Sequence, residues 1–389
     1  MEQFVFVTGM FRSGTTLLAR MLNAHPTVAF ASDPYSWIFK AFRNAVTQTA
    51  DETAPFDDYY FHPQRLQMFE HIQRAPLTTP VGELDIELLR RRIADTARPF
   101  SPKLEPMLGR LDGRTFAELL TSGLRIVRDA YGDSSSRMVG VKETWTNEFA
   151  GHVLRAFPDA KVIGVIRDPR AVAGSKNVSD EKYPWWFLAR QWRKLATCLW
   201  LVEHHMPEVA DRFCLVRYED LITSPEEQTA RICRFLNIEP HADLIDPARY
   251  RDGAGQAWRQ NSSYTEGAQG FDRQALDRWR GVLNDEQRRF IETLCWPEMQ
   301  AFGYEPLDVD HFTPVFTSPT IAPDDLATWI RPYATPTEAD TAMERERWRL
   351  LHDRGDRTTL DKQRCCLSEA FFEAARTICM EGRAAHGPA

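Results

Sequence analysis

Residues 9–16 have the side chains and the spacing of a loop that binds a phosphate group. The stretch reads G-M-F-R-S-G-T-T, in which Gly9 and Gly14 bracket a short loop that includes Arg12. It keeps the G-x-x-x-x-G frame of a P-loop, but Thr15 stands where a P-loop has its lysine. The loop therefore suits a 5′-phosphate group without a triphosphate tail, and a structural turn without a ligand is the alternative. The predicted contacts are Gly9, Arg12, Ser13, Gly14, Thr15 and Thr16.

A carboxylate and an amine follow two other predicted strands. Asp33 comes shortly after the apolar run 28–30, where it could act as a base or cap a helix that begins near Pro34. Lys142 and Glu143 follow the run 138–141. Ligands of doubly wound sheets lie outside the carboxyl ends of the strands, so Lys142 is well placed to bind one. An exposed Lys–Glu pair is the alternative interpretation.

An arginine and a serine form a third candidate group. Arg167 ends the apolar run 162–166, and Ser175 lies in the predicted helix that follows. A guanidinium makes a forked, bidentate contact with a phosphate, and a nearby hydroxyl can add a further bond. The alternative is a structural ion pair between Arg167 and Asp168.

These side chains need a scaffold, and the hydrophobic pattern supplies one. Short apolar runs, typical of buried strands, alternate with segments whose apolar residues recur at helical spacing. This alternation predicts an α/β fold, a parallel β-sheet flanked by helices and joined by right-handed crossovers. Predicted helices include 85–97, 115–131, 147–157, 184–206, 224–236 and 285–302, and Ser224 and Glu227 have the spacing of a capping box.

Two segments lie outside this alternation. Residues 44–135 are interpreted as a helical insertion on the acceptor side of the site, because long excursions on α/β folds often carry specificity. A surface excursion is the alternative. Residues 305–389 are expected to form a mostly helical C-terminal extension, with helices at 338–356 and 361–381. We expect a packing or oligomerisation arm, which leaves a homo-oligomer open.

The composition is that of a globular protein with an acidic charge balance. The 389 residues carry a formal net charge of −7, with 43% hydrophobic and 26% charged residues. This balance argues against a nucleic-acid partner. No run approaches the ~20 apolar residues of a membrane span.

The seven cysteines are scattered, which is typical of reduced intracellular thiols and not of a disulfide framework or zinc site. Cys365 and Cys366 are expected to be exposed. We expect no metal site, and a cytoplasmic protein, because the first strand begins too early for a signal peptide.

The order of the motifs resembles that of the sulfotransferases that use 3′-phosphoadenosine 5′-phosphosulfate (PAPS). FRSGTTLL resembles the family's 5′-phosphosulfate loop, IRDPRAVAGS its 3′-phosphate segment, and RYEDLITSPEEQTARICRFL the strand and helix that follow. The resemblance covers residues 3–304, and the layout is most similar to the protein-tyrosine sulfotransferase branch. It implies a P-loop-like sulfotransferase fold in a domain of residues 1–304, which contains the insertion.

The resemblance also implies a site. Gly9–Thr16 would hold the 5′-phosphosulfate. Asp33 corresponds to the branch's general base, which is there a glutamate, and Lys142 to its catalytic lysine. Arg12 and Lys142 would stabilise the leaving phosphate as sulfur is transferred in line to an acceptor hydroxyl, releasing 3′-phosphoadenosine 5′-phosphate (PAP). The implied contacts of the 3′-phosphate are Arg167, Ser175 and one of Ser262 and Ser263. The further candidate bases are Glu143, His25, His62 and His152.

Two other functions stay open. A P-loop nucleotide kinase or NTPase would need the loop lysine and an Mg²⁺-binding aspartate, neither of which the pattern offers. A non-catalytic scaffold would bind the nucleotide without turnover. The acceptor could be a small molecule, a peptide, a glycan or a lipid with a hydroxyl group.

Overall fold

A five-stranded parallel β-sheet carries the residues of the first motifs. In the sheet order β2-β3-β1-β4-β5, every neighbouring pair is parallel. The strands are β1 (Gln3–Gly9), β2 (Val28–Ser32), β3 (Met138–Thr144), β4 (Lys161–Ile166) and β5 (Phe213–Arg217). The predicted α/β class with a parallel sheet is therefore confirmed.

The computed structural model describes residues 3–48, 60–61, 63–144, 146–178, 181–258, 270–308, 313–353 and 355–386. Within these ranges the helices in the first half are α1 (Thr15–Asn23), α2 (Ser36–Thr47), α3 (Pro63–Arg74), α4 (Ile86–Ala97), α5 (Phe116–Tyr131), α6 (Ala150–Ala156) and α7 (Pro169–Asn177). The later helices are α8 (Trp185–His205), α9 (Tyr218–Thr223), α10 (Pro225–Leu236), α11 (Gln274–Asp277), α12 (Asp285–Ala301), α13 (Glu338–His352), α14 (Thr359–Cys366) and α15 (Glu369–His386).

The register of β1, β2 and β3 aligns their carboxyl ends, where the candidate site residues lie. Gly9 of β1 is opposite Thr144 of β3, and Lys142 of β3 is opposite Ser32 of β2. Helices α1 and α5 pack on this part of the sheet, so strand residues such as Val5 and Val141 are completely buried. Strands covered on both faces read as continuous apolar runs, which is the pattern that the sequence shows.

The chain forms two compact units. The first consists of Met1–Glu52, His71–Arg167 and Val202–Arg273 and contains the whole sheet. The second consists of Thr53–Glu70, Asp168–Leu201 and Gln274–Ala389 and contains most of the later helices. The predicted boundary between residues 304 and 305 stays a prediction.

The 44–135 segment contains more regular structure than the sequence predicted. The helix expected at 85–97 is present as α4, where the Asp85 carboxylate accepts the Leu88 N–H. Thr115 caps α5 in the same way, through the Glu118 N–H. Helix α3 and a 3₁₀ segment at Pro102–Arg110 are additional. Proline recurrence made this region look irregular, although proline is well suited to the first turn of a helix.

The C-terminal extension supplies buried charges to the second unit. Glu344 of α13 accepts two hydrogen bonds from Arg193 of α8, at 2.5 and 3.0 Å. Arg347, one turn further along α13, pairs with Glu298 of α12 at 2.5 Å. These pairs support the expectation of a packing arm.

Two local predictions are wrong. Cys365 and Cys366 are buried, not exposed, because the apolar face of α14 that carries them is covered within the second unit. Ser224 stands at the N-cap of α10, but its side chain makes no capping bond, because its backbone follows α9 directly and does not adopt the usual extended cap geometry.

Candidate functional site

The glycine-bracketed loop lies between β1 and α1. Arg12 and Gly14 have left-handed backbones, with φ of 65° and 94°. The Ser13 N–H donates to the Met10 carbonyl at 3.2 Å, and the Ser13 hydroxyl donates to the same oxygen. The loop is thus closed by its own bonds, and the first turn of α1 leaves backbone N–H groups facing it, which favours an anion there.

Two glycines of this loop admit no side chain. A Cβ on Gly9 would lie 2.6 Å from the carbonyl oxygen of Val165 in the neighbouring strand. A Cβ on Gly14 would lie 2.2 Å from the ring of Tyr218. The loop therefore passes close to β4 and to the start of α9, and only glycine allows that approach.

Gly14→Ala is expected to destabilise the protein more than Gly82→Ala. Both glycines have a left-handed backbone, which costs an alanine about 1–2 kcal/mol. A Cβ on Gly82 would meet nothing within 4 Å, whereas the Cβ on Gly14 collides with Tyr218. Overpacking adds about 1–3 kcal/mol at Gly14. Denaturant unfolding of the two variants measures the difference, and Gly14→Ala/Tyr218→Ala should recover the overpacking part. Equal losses for both single variants would contradict the close approach.

Arg167 is tied to the same loop. Its Nη1 donates to the Arg12 carbonyl at 2.8 Å, and its guanidinium carbon lies 4.2 Å from the centre of the Tyr218 ring. The side chain is largely buried. A stacked, hydrogen-bonded guanidinium is held in one orientation, which is what bidentate recognition of an anion requires.

The structure describes two of the other residues considered with Arg167, Ser175 and Asp168. Ser175 is a buried residue of α7 in the second unit. Asp168, which the sequence offered as a partner of Arg167, caps α7 and pairs with the Arg170 guanidinium at 2.7 Å. Ser262 and Ser263 fall outside the described residues. That Arg167, Ser175 and one of these serines bind one phosphate stays a prediction.

Asp33 and Lys142 meet at the carboxyl edge of the sheet. The Lys142 ammonium forms an ion pair with Oδ2 of Asp33. Oδ1 accepts two bonds from Thr144, from its N–H at 3.1 Å and its hydroxyl at 2.9 Å. The Lys142 side chain is 3% exposed and that of Asp33 17% exposed. The structure thus joins two predicted catalytic residues directly, and leaves the carboxylate as the more accessible member.

The backbone of Asp33 explains how the carboxylate reaches this position. Its φ of 49° is in the left-handed region, and its N–H donates to the Lys142 carbonyl at 2.6 Å. Aspartate is among the few residues with a side chain that adopt this conformation readily. The turn directs the carboxylate back across β3, away from the following helix.

Asp33 does not cap α2, so that alternative is wrong. Helix α2 begins at Ser36, and the carboxylate that accepts the Tyr35 N–H at its start belongs to Glu143. Glu143 is buried, as is Lys142, so the exposed Lys–Glu pair is also wrong. Burial, and then the negative charge of Asp33, raise the pKa of Glu143 well above its ordinary value. Its burial and its bond from the Tyr35 N–H keep this carboxyl group out of reach of an acceptor, which does not suit a general base.

The histidines proposed as further bases have structural bonds. His25 accepts the Thr27 N–H on Nδ1 at 3.2 Å and donates from Nε2 to the Glu239 carbonyl at 2.9 Å. His152 is buried and its Nε2 donates to the Ile72 carbonyl at 2.6 Å. Burial lowers the pKa of His152 to about 4. His62 lies outside the described residues.

His152 is expected to make stability depend on pH between about 6.5 and 4. The unfolded chain protonates this ring near its ordinary pKa of 6.5, whereas the folded protein resists protonation down to about 4. Stability present above pH 6.5 is therefore lost as the pH falls, by up to about 3 kcal/mol. Urea unfolding between pH 7 and 4.5 should show a weaker pH dependence in His152→Gln than in wild type. The exposed His204 is the matched control, and an equal effect of His204→Gln would rule out this origin.

Thr144 and Tyr218 are site residues that the sequence reasoning missed. Thr144 follows the Lys-Glu dipeptide at the end of β3, and Tyr218 follows Arg217 at the end of β5. Both lie at the carboxyl ends of strands, where parallel sheets bind ligands. This position is the signal in the sequence that could have identified them. Thr144 pairs with Asp33, and Tyr218 contacts Gly14 and Arg167, all of them distant in the chain, so the pairing itself could not be read from the sequence.

The arrangement can hold an anion and accept a proton at neighbouring points. The loop and Arg167 present N–H groups and a fixed cation, while Asp33 presents a carboxylate beside the Lys142 ammonium. Among the described residues no helix has the length and apolar character to cross a bilayer. A cluster of three potential metal ligands is likewise absent from the described part of the chain.

A strand–loop–helix anion site at the edge of a parallel sheet defines a P-loop-like α/β protein. The family model described as "Sulfotransferase family" matches residues 4–243. The chain belongs to the sulfotransferase family, and the predicted resemblance and P-loop-like sulfotransferase fold are confirmed.

The chain is also similar to several named proteins. Protein-tyrosine sulfotransferase A of Caenorhabditis elegans is 23% identical over 314 residues, which are 78% of this chain and 67% of that protein. Carbohydrate sulfotransferase 7 of Mus musculus is 33% identical over 93 residues, which are 24% of this chain and 19% of that protein. The sulfotransferase domain of the Synechococcus PCC 7002 olefin synthase is 16% identical, with a TM-score of 0.46, over 78% of this chain and 95% of that domain.

Proposed function

We propose that this protein transfers a sulfuryl group from PAPS to an acceptor hydroxyl by in-line displacement, releasing PAP. The observation that carries the proposal is the strand register. Gly9, the first glycine of the loop, is opposite Thr144, and Thr144 holds the carboxylate of Asp33. The proposed anion site after β1 and the candidate base after β2 therefore both border the end of β3, the strand that lies between them, as transfer of an anionic group to a hydroxyl requires.

The described residues fit the 5′ end of PAPS. The left-handed Gly14 and the close approach at Gly9 leave backbone N–H groups open to an anion without a side chain in the way. Arg12 adds a cation to the loop, and Arg167 is bonded to it. PAPS, when bound, supplies an activated sulfuryl group whose departure leaves a phosphate anion. We assign the 5′-phosphosulfate to Gly9–Thr16 and the 3′-phosphate to Arg167.

The chain's own residues then have distinct roles. Asp33 accepts the proton of the acceptor hydroxyl, since its side chain is 17% exposed whereas Glu143 is buried. Lys142 and Arg12 stabilise the negative charge that develops on the leaving phosphate. Thr144 positions Asp33 through two hydrogen bonds. No metal ion is assigned a role, because the donor lacks the triphosphate tail that Mg²⁺ neutralises in kinases.

The acceptor is proposed only by class. One relative is named a protein-tyrosine sulfotransferase and another a carbohydrate sulfotransferase. These names support a hydroxyl acceptor on a peptide, a glycan or a smaller molecule. A cytoplasmic location stays a prediction.

Calorimetry with PAP, AMP and ATP tests the donor assignment. Wild type should bind PAP in the presence of EDTA, and bind AMP and ATP far more weakly. Arg167→Ala should weaken PAP binding about tenfold or more, the value of a charge-assisted bond, and leave AMP binding nearly unchanged, because AMP lacks the 3′-phosphate.

The comparison of PAP with AMP separates two roles of Arg167. If Arg167 only secures the loop through the Arg12 carbonyl, its removal weakens both nucleotides equally, and the 3′-phosphate assignment fails. Binding of ATP that requires Mg²⁺ would favour the kinase. PAP binding without release of PAP from PAPS, across phenol, alcohol and sugar acceptors, would favour the non-catalytic scaffold.

A further inference from the structure

Phe100 is an exposed aromatic side chain beside the buried ion pair of the site. Phe100 is 46% exposed. The centre of its ring lies 6.0 Å from Nζ of Lys142, the amine that pairs with Asp33. The ring therefore offers an apolar face to whatever approaches this part of the site.

The backbone next to Phe100 is fixed to the strand that leads to Asp33. The buried Ser101 hydroxyl donates to the Ser32 carbonyl and accepts the Ser32 N–H, both at 2.9 Å. Ser32 is the last residue of β2, an edge strand, and directly precedes Asp33. Edge strands otherwise present unpaired N–H and carbonyl groups. One serine thus satisfies both groups of Ser32 and sets the position of Phe100 relative to the carboxylate.

A second contact fixes the same backbone from another segment. A Cβ on Gly253 would lie 1.8 Å from the Phe100 carbonyl oxygen, so the two backbones are in direct contact. The Tyr131 hydroxyl donates to the Gly253 carbonyl at 2.9 Å and holds that segment in place. The backbone at Phe100 is thus held on two sides. Because the Phe100 ring is exposed to solvent, it adds little to the stability of this segment. Its position beside Lys142 and Asp33 allows this ring to contact a ligand bound at the site.

We propose that Phe100 determines acceptor specificity, by packing against an apolar or aromatic group next to the acceptor's reacting hydroxyl. The proposal rests on the proposed sulfotransferase function and extends it to the acceptor side. A hydroxyl flanked by a ring or an alkyl group gains a contact with Phe100. A sugar hydroxyl, flanked by other hydroxyls, gains less and must give up water at the ring.

Binding of 2-naphthol and of glucose to the PAP-loaded protein tests this by calorimetry. Wild type should prefer 2-naphthol, and Phe100→Ala should weaken 2-naphthol binding about tenfold, the value of a good ring–ring contact. Glucose binding should change little, and Phe100→Leu should fall between the two. PAP binding and the thermal midpoint should stay unchanged, because the ring is not core. Leu360, similarly exposed at 47% but in the second unit, is the matched control.

Several outcomes would overturn the proposal. These are a preference of wild type for glucose, a 2-naphthol affinity that Phe100→Ala does not alter, and an equal loss in Leu360→Ala. Repeating the titration without PAP keeps the test independent of the donor. If PAP does not bind, the proposed function fails, while the 2-naphthol comparison still reports on Phe100. Where turnover is measured, the effect of Phe100→Ala should fall on KM more than on kcat.

Discussion

Asp33→Asn is expected to lower kcat by about 10²–10⁴-fold, the usual contribution of a general base. The asparagine oxygen can still accept the Thr144 bonds that hold Asp33 now, whereas its NH2 group replaces the oxygen that pairs with Lys142, so the variant loses the proton acceptor and the ion pair. PAP binding should be unchanged or tighter. The variant removes a negative charge that is paired with Lys142, which leaves that ammonium more available to an anion.

Glu143→Gln is the matched control for this prediction. Glu143 is buried and accepts the Tyr35 N–H, a bond that a glutamine oxygen can also accept, so most of the activity should remain. Steady-state release of PAP measures kcat, and calorimetry measures PAP affinity for both variants. A large loss in Glu143→Gln with little loss in Asp33→Asn would transfer the role of base to Glu143. Weaker PAP binding in Asp33→Asn would mean that the carboxylate supports the donor site instead.

Arg347→Ala is expected to lower the free energy of unfolding by about 3–5 kcal/mol, the cost of breaking a buried ion pair. Arg347 is 5% exposed and Glu298 is completely buried. The arginine also donates from Nε to the Cys365 carbonyl at 2.7 Å. Burial already raises the pKa of Glu298 and Arg347 opposes that rise, so the variant leaves a buried carboxyl group without its cation.

Arg349→Ala is the control on the same helix. Arg349 pairs with Glu346 at 2.6 Å, but both side chains are more than half exposed, and such pairs contribute about 0–1 kcal/mol. Urea unfolding followed by tryptophan fluorescence gives both values. Arg347→Met/Glu298→Met should recover much of the loss, because an apolar pair of similar volume needs no charge compensation. Similar losses for Arg347→Ala and Arg349→Ala would show that the buried pair does not stabilise the unit.

The features of the site that depend on local sequence were predictable. The features that depend on which distant residues contact each other were not. Gly9 and Gly14 identify the loop because a tight turn before a helix needs glycine there. Asp33 and Lys142 were both predicted as site residues from their positions at the ends of strands, but their direct ion pair was not expected. Its formation depends on the register that sets β3 beside β2 and on the left-handed turn at Asp33. The same sequence equally allowed Asp33 to cap α2, and only the position of Glu143 decided against it.

The sequence by itself determined the fold class, the glycine-bracketed loop and the family resemblance. Each follows from short-range pattern, that is, from strand runs, helical periodicity and glycines at fixed spacing. The tertiary structure alone decided which polar residues are buried and which partners they find. Lys142, Glu143 and Arg347 belong to residue types that mostly lie at the surface. Their burial depends on elements distant in the chain, since desolvation and ion pairing are properties of the folded arrangement.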